Sequence, residues 1–261
     1  MIARGGFAVV LATVALAACG GGTDEPECPT EDCSVPGSTV VKWRFHEYPQ
    51  WGFLADTCLD LGVTMVRVEA INVADPAAYF MLDKGCGEGQ ATFLRLPEGT
   101  YDIAVTPLDE TGAPAVSAPA RGQVVAGLPG APIETTINVP HDVWTRAYTG
   151  TFLFKLSWNG MACEPAAVAT QTLKLMIDGA VVNERLDNNQ KLDGTDDKPC
   201  RSFTEPFAQF VADLPFGPAT IAVTGKDIDG LTKFDHEFET FIGVGQNNPT
   251  ITFDLPLPPA M

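Results

Sequence analysis

An eleven-residue stretch of this chain occurs twice, and an internal repeat restricts the possible folds more than length or composition can. Leu96-Pro97-Glu98-Gly99-Thr100-Tyr101-Asp102-Ile103-Ala104-Val105-Thr106 returns 118 positions later as Leu214-Pro215-Phe216-Gly217-Pro218-Ala219-Thr220-Ile221-Ala222-Val223-Thr224, with seven of the eleven residues identical. Asp109 and Gly112 fall on Asp227 and Gly230 at the same offset. A repeat of this length divides the chain into two copies of one structural unit. The first module is expected at residues 38–141 and the second at 147–257, with a connector at 142–146 and a short tail at 258–261.

Each copy carries strand signals. Thr39, Val41, Trp43 and Phe45 alternate with Val40, Lys42, Arg44 and His46, a period of two with one largely apolar face. Phe152, Phe154, Leu156 and Trp158 do the same opposite Thr151, Leu153, Lys155 and Ser157. Further strands are expected at 64–71, 91–96, 100–106, 123–127 and 133–139, and in the second copy at 170–177, 207–211, 219–225, 234–242 and 250–255. No stretch shows long helical periodicity. Short strands punctuated by Pro and Gly predict an all-β chain of two tandem antiparallel β-sandwiches.

The Leu-Pro-x-Gly-x-x-x-Ile-Ala-Val-Thr block resembles the strand-turn-strand signature of carboxypeptidase-regulatory-like and collagen-adhesin B-type modules. Those are small transthyretin-like or immunoglobulin-like sandwiches used as spacers and binding units, so the resemblance implies architecture rather than activity. The adhesin modules often carry an internal Lys to Asn or Asp isopeptide bond in an apolar setting. Here Lys42 and Lys155 fall on the polar phase of their strands, which argues against that crosslink.

The chain opens with Arg4 and twelve nearly uniform small or aliphatic residues, 7–18, followed by Cys19. Twelve helical residues reach about 18 Å, short of a bilayer core of about 30 Å. Leu16-Ala17-Ala18-Cys19 resembles a bacterial lipoprotein signal, which implies cleavage after residue 18 and a lipidated, membrane-held Cys19. Gly20 rather than Asp after the cysteine is similar to the proteobacterial pattern for release to the outer membrane. Residues 19–37 carry five acids, no base and one sizeable aliphatic residue, the composition of a flexible tether. The whole chain has 33 acids against 16 bases, net −17, a surface that repels nucleic acid and anionic headgroups.

Assigning Cys19 to lipid leaves six of the seven cysteines, an even number suited to an oxidising compartment. Fifteen connectivities are open to six cysteines. The repeat favours one pair within each module, Cys58 with Cys86 and Cys163 with Cys200, leaving Cys28 and Cys33 to pair in the tether.

No catalytic or cofactor motif stands out. There is no G-x-S-x-G, and His46, His141 and His236 are scattered. The acidic group Asp227, Asp229, Asp235, Glu237 and Glu239 lacks the calcium-loop pattern, and its spacing fits turns in which Asp caps the bend and Gly takes positive φ. With Asp193, Asp196 and Asp197 it gives the alternative of a calcium-dependent adhesion unit. A glycan- or peptide-active enzyme is the more distant alternative. The copies differ most where the first carries the loop 46–57, whose Tyr48, Trp51 and Phe53 offer an aromatic contact surface or fold back to cap the sandwich. The second has a polar expansion at 179–206, expected as a solvated loop, and Trp144 in the connector is expected to wedge between the modules. The expected function is a lipid-anchored, non-catalytic envelope protein that needs no cofactor, with the membrane and an envelope protein or polysaccharide as partners.

Overall fold

The computed structural model describes residues 38–126 and 132–257. Cys19, Cys28, Cys33, the leader, the tether and the tail lie outside these residues, as does Gly127 at the end of one expected strand. In the first copy β1 (Thr39–Arg44) lies between β4 (Gln90–Phe93), antiparallel, and β7 (Ile133–Asn138), parallel. Opposite them, β2 (Val63–Asn72) lies between β3 (Tyr79–Gly85) and β5 (Gly99–Asp109), and β5 pairs on its far side with β6 (Ala120–Ala126), all antiparallel.

The second copy repeats the plan. Its β8 (Thr149–Trp158) lies between β12 (Gln209–Pro215), antiparallel, and β15 (Ile251–Leu255), parallel. β9 (Thr170–Ile177), β13 (Gly217–Lys226) and β14 (Thr232–Ile242) form the facing sheet. Two short pieces, β10 (Ala180–Val181) and β11 (Lys198–Pro199), pair on the outer edge of β9, where the first copy has β3. The protein is thus two tandem β-sandwiches. Because the first and last strands of each run parallel, the chain enters a sandwich at one end and leaves at the other. The second copy therefore begins where the first one ends.

Alternation determines the cores. Val41, Trp43 and Phe45 from β1 and its extension face Val66 and Val68 of β2 and Ile103 and Val105 of β5, all at most 1% exposed. Phe152, Phe154, Leu156 and Trp158 meet Leu173, Leu175, Ile221 and Val223 in the same way. The repeated Ile and Val are therefore core residues, each contributing about 1.5–3 kcal/mol by leaving water. The repeated Asp and Gly make identical turns. Asp109 Oδ1 accepts from the Thr111 and Ala113 amides, Asp227 Oδ1 from those of Asp229 and Leu231, and Gly112 and Gly230 take φ of 79° and 80°.

Beyond shifts of a few residues at strand ends, such as β4 stopping at 93 and β6 starting at 120, the structure differs from the sequence reading at four places. β3 was not anticipated, because Tyr79-Phe80-Met81-Leu82 is apolar on both faces: Phe80 and Leu82 pack on the core while Tyr79 and Met81 are nearly half exposed. β12 runs to Pro215 rather than 211, through a bulge at which Asp213 takes φ 60°. The expansion 179–206 is not simply a solvated loop, since Leu186, Gln190 and Leu192 are at most 3% exposed. A buried amide network holds it: Gln171 Nε2 donates to Gln209 Oε1 at 2.9 Å, the Arg201 amide donates to Gln171 Oε1 at 2.8 Å, and Gln190 Nε2 donates to the Gln171 and Asp196 carbonyls. Finally, a one-and-a-half-turn helix, Asp56–Asp60, follows the aromatic loop.

Disulfides join Cys58 to Cys86 and Cys163 to Cys200, with Cα–Cα distances of 5.9 and 6.0 Å. Lys42 Nζ pairs with Glu134, and Lys155 Nζ donates to the Phe203 and Glu205 carbonyls. Both lysines are thus engaged in ordinary polar contacts on the surface.

Candidate functional site

The junction between the sandwiches is built by the loop that the second copy lacks. After β1 the chain continues through Phe45 and His46 into a 3-10 turn, Pro49–Trp51, closed by Gly52 at φ 62° with its amide on the Pro49 carbonyl. The helix Asp56–Asp60 follows, tied through Cys58 to Cys86 at the far end of β3. This bracing presents the loop to the near end of the second sandwich.

The three aromatic residues of the loop go to three places. Phe53 packs on the first core and lies against Gly89, where an added Cβ would come within 2.7 Å of its ring. Trp51 packs against the second core, close to Gly243, and edge-on to Phe241 at 6.3 Å. Tyr48 contacts Trp51 at 5.8 Å, packs beside it at the edge of the second core and lines a cleft. In return Val244 joins the first core cluster, with Tyr148 and Phe216 packed beside it. Each core is thus completed by residues from the other copy.

Edge-to-face contacts run unbroken through this seam. From Tyr48 they pass to Trp51 and Phe241, then Phe216 at 5.4 Å, Tyr148 at 6.5 Å, Trp144 at 5.9 Å and Phe45 at 5.5 Å. Such pairs add about 0.5–1.5 kcal/mol each beyond area burial. Trp144 therefore sits between Phe45 of the first sandwich and Tyr148 at the start of the second, while its backbone bridges to Val116. The Tyr148 hydroxyl donates to the Leu61 carbonyl at 2.9 Å, and Asp60 lies against Gly245.

The seam also holds polar groups without protein hydrogen-bond partners: both His46 ring nitrogens, Trp51 Nε1 and Trp144 Nε1. His46 is 3% exposed and contacts Trp51 at 5.1 Å. It belongs to the polar phase of β1 by sequence, and the second sandwich is what buries it. Burial lowers its pKa to about 4, opposed by the Tyr48 backbone and assisted by the Arg44 charge. Burial raises the pKa of Tyr48 and of Tyr148, so both remain neutral phenols. Burial, with the nearby Asp56 charge, also raises that of Asp60.

Beside the seam lies a cleft of about 650 Å³, with Glu47 to Gln50 on one wall and the outer face of β9, β13 and β14 on the other. Its apolar surface comes from Tyr48, Met176, Pro218 and Phe241, and its carboxylates are Glu47, Asp178 and Glu239. Among the described residues no Lys, Arg or His lines it. Glu47 also accepts from the His141 amide at 3.3 Å and lies 3.5 Å from His141 Nδ1.

Sequence reasoning missed Phe241, Gly243 and the burial of His46. One signal was available. By pairing register Phe241 occupies the place of Val125, which is 50% exposed, whereas Phe241 is 2% exposed. A large aromatic residue on a water-facing phase of one copy marks a surface that something covers.

Four of the acids named from sequence are engaged outside the Asp227 turn. Asp193 accepts from Thr195, Asp196 from the Lys191 amide, Asp197 pairs with Lys226, and Asp235 accepts from Thr224. The Thr195 bonds lower the pKa of Asp193 and the Lys191 amide lowers that of Asp196. Among the described residues no three His, Cys, Asp or Glu side chains are grouped to hold a metal ion, and no helix is long and apolar enough to cross a membrane. Also among the described residues, no histidine is hydrogen-bonded to a Ser, Thr or Cys side chain: His141 meets Glu47, and His236 lies edge-on to Phe238 at 4.5 Å.

No protein-family model matches the chain, and no curated protein does either. Solved structures similar to it include a candidate adhesin from Bacteroides ovatus, at 11% identity over 78% of this chain and 76% of the other, with a TM-score of 0.30. The minor pilin GBS52 of Streptococcus agalactiae matches at 12% over 86% and 97%, with a TM-score of 0.25. The fimbrial anchor protein Mfa2 of Porphyromonas gingivalis matches at 11% over 78% and 82%, with a TM-score of 0.26. All three scores are low, and none of these proteins lends its function to this chain.

Proposed function

We propose that the protein is a non-catalytic structural and adhesive unit of the bacterial envelope, held by lipid on Cys19 and spaced from the membrane by the acidic segment 19–37. The two modules, 38–141 and 147–257, act as one projecting body, and Tyr48 with its cleft is the contact site for an envelope protein or polysaccharide. The observation that carries this reading is the reciprocal seam. Trp51, which a binding loop could have offered to solvent, is spent on joining two stapled sandwiches, and Phe53 on the first core, which is what a spacer needs.

The anchor and the contact site are tested separately. Labelled palmitate should enter the wild type and be absent from Cys19→Ser; equal labelling of both contradicts the anchor. Envelope pull-downs, run where the variant stays folded, should lose their captured partner with Tyr48→Ala. An unchanged set of partners contradicts the cleft as the contact site.

A further inference from the structure

We propose that the seam between the sandwiches is an acid-sensitive hinge whose latch is the neutral form of His46. The geometry behind this is independent of any ligand. His46 is 3% exposed, where surfaces from both sandwiches close over its ring: Trp51 at 5.1 Å from the loop side and Phe241 at 6.3 Å from β14. Neither ring nitrogen has a protein hydrogen-bond partner. A protonated ring there is a charge with two N–H donors facing apolar rings, the least favourable way to bury a cation. Opening the seam gives those nitrogens, and Trp51 Nε1 beside them, to water.

The surrounding charges do not rescue the closed, protonated state. On its own strand and extension, Arg44 disfavours a second positive charge and Glu47 is engaged by His141. Just before the 3-10 turn, the Tyr48 backbone favours the protonated ring but is outweighed by burial, and the Tyr48 phenol is kept neutral by burial. On β14, Glu239 is exposed and makes no bond to His46. Asp60, on the short helix, acts in the opposite direction: its pKa is raised in the closed seam, so acid favours closure through that group.

The sign follows from linkage. The closed-state pKa of His46 is about 4, against an ordinary 6.5 when the ring is in water. Above pH 6.5 the ring is neutral in both states and exerts no pressure to open. Between 6.5 and 4 only the open state takes the proton, and closure weakens as the pH falls; below 4 both states are protonated and the effect is complete. From pH 7 to pH 4.5 the opening constant should rise about 50-fold.

Amide hydrogen exchange, corrected for intrinsic rates, reads this opening even when the open state is rare. In the full exported chain, residues 46–53 and 240–245 should lose about 50-fold in protection between pH 7 and 4.5, while β5 and β13 keep theirs. His46→Phe should abolish the loss, leaving only the weak opposite dependence from Asp60. Should His46→Phe fail to fold, His46→Gln carries the same test. Equal pH dependence in wild type and variant overturns the proposal, as does loss of protection in the seam and core strands together.

Discussion

At Gly243 the two sandwiches come so close that a methyl group has no room. A Cβ there would lie 2.4 Å from Trp51 Cζ3 and 2.3 Å from Asn248 Oδ1. Gly243→Ala should therefore cost about 1–3 kcal/mol by overpacking, seen as a lowered Tm and a red shift of tryptophan emission. In a Trp51→Ala background the cost should shrink, because one of the two obstructing groups is gone; an undiminished cost would place the strain at Asn248 alone. The residue scale is also where the sequence was most readable. Asp109, Gly112, Asp227 and Gly230 could be assigned to turns because the repeat set them side by side, and both aspartates do bond the amides of their own turns. Gly243 could not be read this way, since Trp51, one of the two groups it approaches, lies nearly two hundred residues away in sequence.

At the scale of elements, strands with one wet face were legible and strands with other environments were not. β1 and β8 alternate cleanly and were found, whereas β3 hides its period because Tyr79 and Met81 are apolar on the water side. The expansion 179–206 looked solvated because its composition is polar, yet its buried amides bond one another. Gln171→Leu should strip the Arg201 amide and Gln209 of their buried partner and cost about 2–3 kcal/mol, with faster hydrogen exchange across 186–201 as the accompanying sign. The disulfides close sequence separations of 28 and 37 residues. Replacing either pair by serines should cost about 3.5–4 kcal/mol in the chain-entropy model. Calorimetry on the two double variants checks this, and a loss well under 1 kcal/mol would mean the reduced chain already holds its loop.

At the scale of the whole molecule, the sequence pointed to two modules but not to how they meet. Periodicity reports which face of a strand is dry, not what keeps it dry. His46 and Phe241 sit on phases that sequence assigns to water, and each is buried by the neighbouring sandwich. Tyr48, Trp51 and Phe53 were singled out as one aromatic surface, yet the chain distributes them among a cleft, the seam and the first core. Exchange of Trp51 and Val244 between cores makes the junction resemble a domain interior more than a linker, so the two sandwiches should move together. NMR relaxation at pH 7 tests this most directly. Amides of β5 and β13 should report one common rotational correlation time in the wild type, separating into two shorter times in Trp51→Ala; two shorter, unequal times in the wild type would contradict a rigid seam.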